Sequence, residues 1–503
     1  MRTVVSVLFL LLIMSNVSSI VPTWLQADNN SQYTLVAATG TSTTGDLIQD
    51  NIEKYRKGDV SLRILDENGA PLAERAVTIR QLSHDFLFGC SYPEGFWPGN
   101  FQERFSSLFN YATTENHFKW GVLERIQGWI NWGQIDNLLS WAQSKGIKVK
   151  GHNLVWGNLL SGSGSGVPSW IRDKSRDEIR QLLEARVRQV VGRYAGKVWA
   201  WDVVNEPVHD KWFAEHFGND YIELSLQWAR ETDPKAQLAV NENNILMSTN
   251  WRRDYLAQLS QVKSLGAPLN VVGIEEHHGT TWLSPNDIYK GLDEIAKLGL
   301  DIHITEFDVD TANLPIKGTY RQGVWNEQTQ AEYYEMFYRT AFSYPNVKAI
   351  STWSFMDPGW TKTNCGLVRP DLSPKPVYET LDRLINEEWR TNLETKSDSD
   401  GAVSFRGFYG TYEVTMTVNG ENRTATFPLN ENGPRQLDLT LAKSQTPSTT
   451  GLGLNISILQ NYLVAVGATS LVIIGLLLIR KRARRMRGVP RTAAVCHHYA
   501  IRG

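Results

Sequence analysis

Cysteine is scarce. Three in 503 residues are too few for a disulfide scaffold or a structural zinc cluster. No glycine-rich dinucleotide fingerprint follows the first apolar strand, which argues against an open, doubly wound sheet. Basic residues are not in excess over most of the chain. The net charge of −2 hides eight Lys/Arg and no acids from Arg480 onward; without these and Arg2, 42 basic residues face 53 acidic ones, a balance of −11. A body this acidic does not suit nucleic acid. Tryptophan stops at Trp389, the last of 18, and the change marks a boundary. A hydrophobic share of 42% with 21% charged residues excludes a disordered or collagenous chain, and the length suggests about three folding units.

Both ends read as addresses. Arg2, the apolar run Val4 to Met14 and small residues at Val17 and Ser19 form a secretory leader over 1–19. Ser/Thr/Pro/Gly-rich 443–457 reads as a flexible linker. The apolar stretch 458–479 is long enough to cross a bilayer, and the basic tail 480–503 should stay cytoplasmic. The expectation is an exported protein anchored in the cell membrane by one C-terminal helix, with its main domain outside.

Between the ends, strand and helix patterns alternate eight times. The strands are expected at Phe86–Cys90, Tyr111–Glu115, Lys148–Trp156, Val198–Glu206, Gln237–Glu242, Val271–His277, Asp301–Val309 and Ala349–Phe355. This is the pattern of an α/β protein with a (β/α)8 TIM barrel, here over 86–390. Before it, Asp59–Ile64 and Ala76–Gln81 flank the turn Asp66-Glu-Asn-Gly69 and read as a β-hairpin extension over 46–85. After it, alternating runs over 394–442 read as a small antiparallel, sandwich-like module serving as a spacer or packing module, with glycan binding as the alternative.

Polar residues gather at the expected C-terminal strand ends, where barrels of this kind do chemistry. The fourth strand ends in Asn205-Glu206-Pro207 and the seventh carries Glu306 and Asp308. Two carboxyl groups facing one mouth suit glycosidic cleavage, with one protonating the leaving oxygen and the other attacking or stabilising the sugar cation. Glu115, Asn116, Lys119, His152, Trp156, Glu275, His277 and Trp353 stand at other strand ends. Indole faces there suit the C–H side of a sugar ring. Glu275, Glu276, His277 and His278 also suggest a metal site, but neighbours on a strand point to opposite faces.

The runs Trp201-Asp-Val-Val-Asn-Glu-Pro207 and Ile302-His-Ile-Thr-Glu-Phe-Asp308 resemble glycoside hydrolase family 10, the retaining endo-β-1,4-xylanases. Thr114-Glu-Asn-His-Phe-Lys-Trp120 and Gly151-His-Asn-Leu-Val-Trp156 support the resemblance, which runs from about Gly58 to Asn386. It implies Glu206 as acid/base, Glu306 as nucleophile, Asn205 on the sugar 2-hydroxyl and a His277–Asp308 pair aiming the nucleophile. It implies further sugar contacts at Glu115, Asn116, Lys119, His152, Trp156, Glu275 and Trp353, and at Trp360 on a loop one residue shorter than usual. No cofactor and no metal is implied; the expected partner is a polysaccharide, xylan or a related β-glycan, with the protein a monomer.

Two departures bear on this. Gly157 stands where the family usually has His, and Glu275 where it has Gln. A third carboxyl group beside Glu306 is expected either to stay protonated and imitate Gln or to turn aside. Cleavage of another polysaccharide such as β-1,4-glucan, or a surface glycan-binding role with weakened catalysis, are the competing readings. Cys90, at the end of the first strand, and Cys365, in the loop after the neighbouring eighth strand of a closed barrel, are a candidate disulfide; two buried thiols are the alternative.

Overall fold

The computed structural model describes residues 44–443 apart from 94, 96, 98, 163–164 and 360–363. The expected leader, membrane span, basic tail and nearly all of the linker, with Trp360 and Cys496, lie outside the described residues. Among the described residues no helix is long and apolar enough to cross a membrane. Two compact units separate: residues to Met416 with Ala425–Leu441, and Thr417–Thr424 with Ala442 onward. In the second, Arg423 and Thr424 pair antiparallel with Lys443 and Ala442. The packing and the site described below concern the first.

Among the described residues seventeen strands run in chain order, beginning with β1 (Lys57–Leu65) and β2 (Ala76–His84). The barrel follows as β3 (Leu87–Tyr92), β4 (Tyr111–Thr114), β5 (Lys148–Gly151), β6 (Val155–Trp156), β7 (Ala200–Asn205), β8 (Gln237–Asn243), β9 (Val271–His277), β10 (Asp301–Asp308) and β11 (Val347–Thr352). Then come β12 (Asn392–Lys396), β13 (Ala402–Phe408), β14 (Gly410–Val418), β15 (Glu421–Leu429), β16 (Gln436–Thr440) and β17 (Ala442–Lys443).

The barrel sheet is parallel and closed. Its order is β5-β4-β3-β11-β10-β9-β8-β7-β6, and β5 also pairs with β7 through Lys150↔Ala200 and Gly151↔Trp201. The expected third strand, Lys148–Trp156, is thus two short ones, with His152, Asn153 and Leu154 between them. The barrel strands are rich in Val, Ile and Ala and almost wholly buried, as a parallel sheet covered by helices requires. Several of the helices start on strong caps. Ser175 with Glu178 and Ser284 with Asp287 form capping boxes, the latter with Pro285 in the first turn. Helix Arg176–Arg193 buries Ile179, Leu183, Val187, Val190 and Val191 at helical spacing.

The expected N-terminal hairpin and separate C-terminal module are both corrected. β1 and β2 lie in different sheets: β13-β1-β16, and a second sheet in which β2 lies between β12 and β14. The turn Asp66–Gly69 does form, with the Asp66 carboxylate accepting from the amides of Asn68 and Ala70. It pairs only Leu65 with Pro71 before the chain crosses to the other sheet. Each strand has a buried face, Val60/Leu62/Ile64 and Val77/Ile79/Gln81. As a two-stranded hairpin the pair would lack an opposing sheet to cover these faces. Strands from the far end supply that cover, so one sandwich is built from both sides of the barrel. Phe408 of β13 joins the barrel's own core near Phe342, which stacks on Trp389 at 4.2 Å.

The candidate disulfide is also corrected: Cys90 and Cys365 are buried thiols that are not joined to each other. Cys90 Sγ accepts from Thr352 Oγ1 on neighbouring β11 (3.0 Å), whereas the Cys365 thiol donates to Ser354 Oγ (3.3 Å). Each sulfur is turned to its own hydroxyl, and burial pushes the Cys90 thiol well up. Alkylation in denaturant without reductant is therefore expected to label both cysteines, read by peptide mass spectrometry. An unlabelled linked pair would contradict this arrangement.

Candidate active site

Two irregularities in strand register shape the mouth of the barrel. The pairing of β10 with β9 shifts between Ile304 and Glu306, and that of β7 with β8 shifts between Asp202 and Val204. A bulge re-aims side chains that strict alternation would turn outward. Here Thr305 and Glu306, although consecutive, both reach Asn241 of β8. After the second shift Asn205 pairs with Asn241, and Glu206 leaves the strand with φ +47°, a left-handed conformation rare outside glycine. Its amide donates to Asn241 O (2.7 Å) and its carbonyl accepts from the Asp210 amide (2.8 Å).

Glu306 is 4% exposed. Its Oε2 lies 3.1 Å from His277 Nε2, whose other ring nitrogen lies 2.9 Å from Asp308 Oδ1. Burial opposes a charge on His277, but Asp308 and Glu306 together outweigh it and push the imidazole up to about 10. A doubly protonated ring then donates to both carboxylates. Glu306 Oε1 faces Asn241 Nδ2 at 3.5 Å and His152 Nδ1 at 3.6 Å. His152 is itself held by Asp202 (3.0 Å), which pairs with buried Lys150 (2.7 Å). The surroundings of Glu306 are donors.

Glu206 is placed differently. Removal from water, then Glu242, Asp210 and Glu306, push its carboxyl group up to about 8. Glu242 itself is fully buried but satisfied, accepting from the amides of Val208 and Asn243 and from His209 Nδ1. Asn205 Nδ2 donates to Glu206 Oε1 (3.3 Å) and Asn205 Oδ1 accepts from Asn241 Nδ2 (3.0 Å).

Glu275 does not turn aside. It is 2% exposed and accepts from Asn241 Nδ2 at 2.6 Å. Burial, then the charges of Glu306, Glu206 and Glu242, raise it well above the usual carboxylate range. The neutral acid occupies the place where the resemblance expects an amide. Strand alternation also splits the run Glu275–His278: Glu276 and His278 bond each other (2.8 Å) behind the mouth, and His278 reaches Tyr333 (2.6 Å). Among the described residues, Glu275, His277 and Glu306 form the one group with ligand-type atoms within 4.8 Å of one another. With a proton on each ring nitrogen, His277 has no lone pair for an ion.

A second cluster lies on β4 and the short strand β6. Lys119 Nζ donates to Asn116 Oδ1 (2.8 Å) and sits 5.0 Å from the Trp156 ring. Burial raises the Glu115 carboxyl against the pull of Lys119. Trp353 meets the His152 ring edge-on at 5.2 Å and lies 6.3 Å from His277. The site residues expected from sequence therefore converge, apart from Trp360, which lies outside the described residues.

The residue at the centre was not expected from sequence. Asn241 touches Asn205, Glu275, Thr305 and Glu306. Asp202, Lys150, Glu242, His209 and Asp210 were missed as well. A usable signal was present in β8, where Asn241 closes an apolar run at the same level as Asn205. Gly157 now has a physical reason. A Cβ there would lie 2.2 Å from the Asp210 carbonyl oxygen, so the connection after Glu206 fills the space a histidine would need. Asn158 Nδ2 holds the Asp210 carboxylate (3.1 Å).

A closed parallel barrel with one proton-holding carboxyl group and a second fixed among donors is equipped for acid-assisted displacement at an acetal carbon. The comparisons agree: the chain belongs to glycosyl hydrolase family 10, whose family model matches residues 80–383. It is 30% identical over 358 residues to endo-1,4-beta-xylanase B of Thermotoga neapolitana, covering 67% of this chain and 95% of that one. It is also 30% identical over 397 residues to anti-sigma-I factor RsgI6 of Acetivibrio thermocellus, covering 78% of this chain and 49% of that protein. Among solved structures, xylanase 10B of Thermotoga petrophila RKU-1 in complex with xylobiose matches with a TM-score of 0.53 and 28% identity, covering 60% of this chain and 95% of that one. The chain spans about half the length of several curated relatives it matches.

Two pH effects follow. An acid must be protonated to donate, so kcat/KM should fall as pH rises through about 8. Asp210→Asn removes a negative neighbour and should move that alkaline limb to lower pH; an unmoved limb would remove Asp210 from the account. Glu275 gains its charge beside Glu306 as pH rises, so Glu275→Gln should make the alkaline fall less steep. An unchanged steepness would mean that Glu275 does not titrate over that range.

Proposed function

We propose that this protein is an endo-β-1,4-xylanase that cleaves with retention through a glycosyl-enzyme intermediate. The observation that carries the reading is the contrast between the two carboxyl groups, with Glu206 holding its proton towards pH 8 and Glu306 set against cationic His277.

In the first step a Glu306 oxygen attacks C1, the C1–O bond breaks, and the Glu206 proton passes to the departing sugar oxygen. In the second, Glu206 takes a proton from water, which attacks C1 and frees Glu306. The His277–Asp308 pair aims the nucleophile, and Asn205 is the donor for the sugar 2-hydroxyl. Asn241 positions Asn205 and Glu306 together. Glu115, Asn116, Lys119, His152, Trp156 and Trp353 bind sugar units, with Glu275 acting as a neutral hydrogen-bonding group. Xylan is preferred to glucan as the substrate by the xylanase relatives. The leader and the apolar stretch near the C-terminus support an exported protein held at the membrane with the barrel outside.

Product analysis on β-1,4-xylan and cellulose, beside Glu306→Gln, tests the proposal. The parent should release xylo-oligosaccharides, and the variant should lose at least about 10³-fold in rate. Cello-oligosaccharides alone would move the specificity to β-1,4-glucan. Bound xylan with no release would replace hydrolysis by glycan recognition.

A further inference from the structure

The most exposed large hydrophobic side chain among the described residues is Trp129, at 80%, with Ile126 next at 66%. Isolated exposed apolar residues are ordinary on protein surfaces. Trp129 differs in how it is held. It lies on the connection after β4, which also carries Glu115, Asn116 and Lys119, at the end of the barrel where the site opens. The segment 126–129 is a tight turn, with the Trp129 amide donating to Ile126 O (2.9 Å) and Gly128 at φ +81°.

Glu124, only 8% exposed, anchors that turn with three oxygen atoms. One carboxylate oxygen accepts from Trp120 Nε1 (2.9 Å), the other from the Gly128 amide (2.7 Å), and the carbonyl accepts from Trp170 Nε1 (2.9 Å). A buried carboxylate is thus committed to keeping a turn stiff whose tip shows an indole to water. Arg125 and Gln127, both exposed, place donors on either side of Ile126. An open aromatic face with polar groups at its margin matches a pyranose unit, apolar on its C–H face and hydroxylated at its edge. Two apolar side chains fall far short of the roughly 800 Å² per partner that a stable protein interface needs.

We propose that Trp129, with Ile126, Arg125 and Gln127, forms a distal platform for a sugar unit of the same β-1,4-linked chain whose other units occupy the mouth. This rests on the glycan reading above and adds to it a preference for long chains. The ligand is a polymer that must leave the mouth over the rim, and the platform continues the connection that already carries the β4 sugar contacts. A preformed aromatic surface binds without ordering a loop first.

The test uses the full chain carrying Glu306→Gln, so that no turnover occurs, with xylotriose and xylohexaose as probes in titration calorimetry. The parent should bind the hexaose more tightly than the triose. Trp129→Ala should reduce that affinity ratio roughly tenfold, about 1.4 kcal/mol, and Trp129→Phe should restore most of it. A ratio unaffected by Trp129→Ala, or a parent that does not distinguish the two sugars, overturns the platform alone. A parent that binds neither overturns the platform and the glycan reading together.

Discussion

Like charges cannot share a dry space, and this constraint governs the mouth of the barrel. Asp202, Glu206, Glu242, Glu275, Glu306 and Asp308 all come from strand ends within one small region. Each is settled by a different device. Asp202 has Lys150 and His152; Glu306 and Asp308 share one imidazolium; Glu242 has two backbone amides and His209. Among the described residues no cation is hydrogen-bonded to Glu206 or Glu275, and burial with the neighbouring carboxylates raises both carboxyl groups. The difference in protonation that acid-assisted displacement requires is thus a by-product of how few cations the mouth contains.

The same crowding explains why Asn241 is central. An amide cannot ionise, yet it donates and accepts in fixed directions. Its oxygen accepts a hydrogen bond from Thr305, and its NH2 group donates towards Asn205, Glu275 and Glu306. A carboxylate there would add another charge, and an apolar residue would take a hydrogen bond from each of four polar neighbours. The register shifts in β7 and β10 are part of this solution, since they bring extra polar side chains inward where a regular strand offers every second one.

The barrel was legible because its strands are short, apolar and separated by well-capped helices, all of which are local signals. The two glutamates stood out because they follow apolar runs in motifs that carry a strong resemblance. What escaped was non-local. β1 and β2 carry proper alternation with a turn between them, and nothing nearby in the chain says that their partners lie beyond residue 390. Asp210 sits in an irregular connection and matters only because Gly157 lets that connection close in. Cys90 lies on a barrel strand and Cys365 in the connection after the neighbouring strand, as expected, but the sulfurs are turned to the hydroxyls of Thr352 and Ser354. Sequence spacing located the elements; side-chain directions came from packing.

The sandwich assembled from both sides of the barrel has a consequence for how the chain is made. Ser61 of β1 bonds Ser404 of β13 across a separation of 343 residues. At a synthesis rate of about 5–20 residues per second, β1 and β2 leave the ribosome roughly 20–70 seconds before their partners exist. The barrel is complete while those two strands still present bare edges and apolar faces, which attract chaperones or other strands. Only a chain translated past β16 can cover both. An interrupted product thus holds a finished barrel beside two sticky strands, and the cell's quality control can tell it from the whole protein without reference to the catalytic residues.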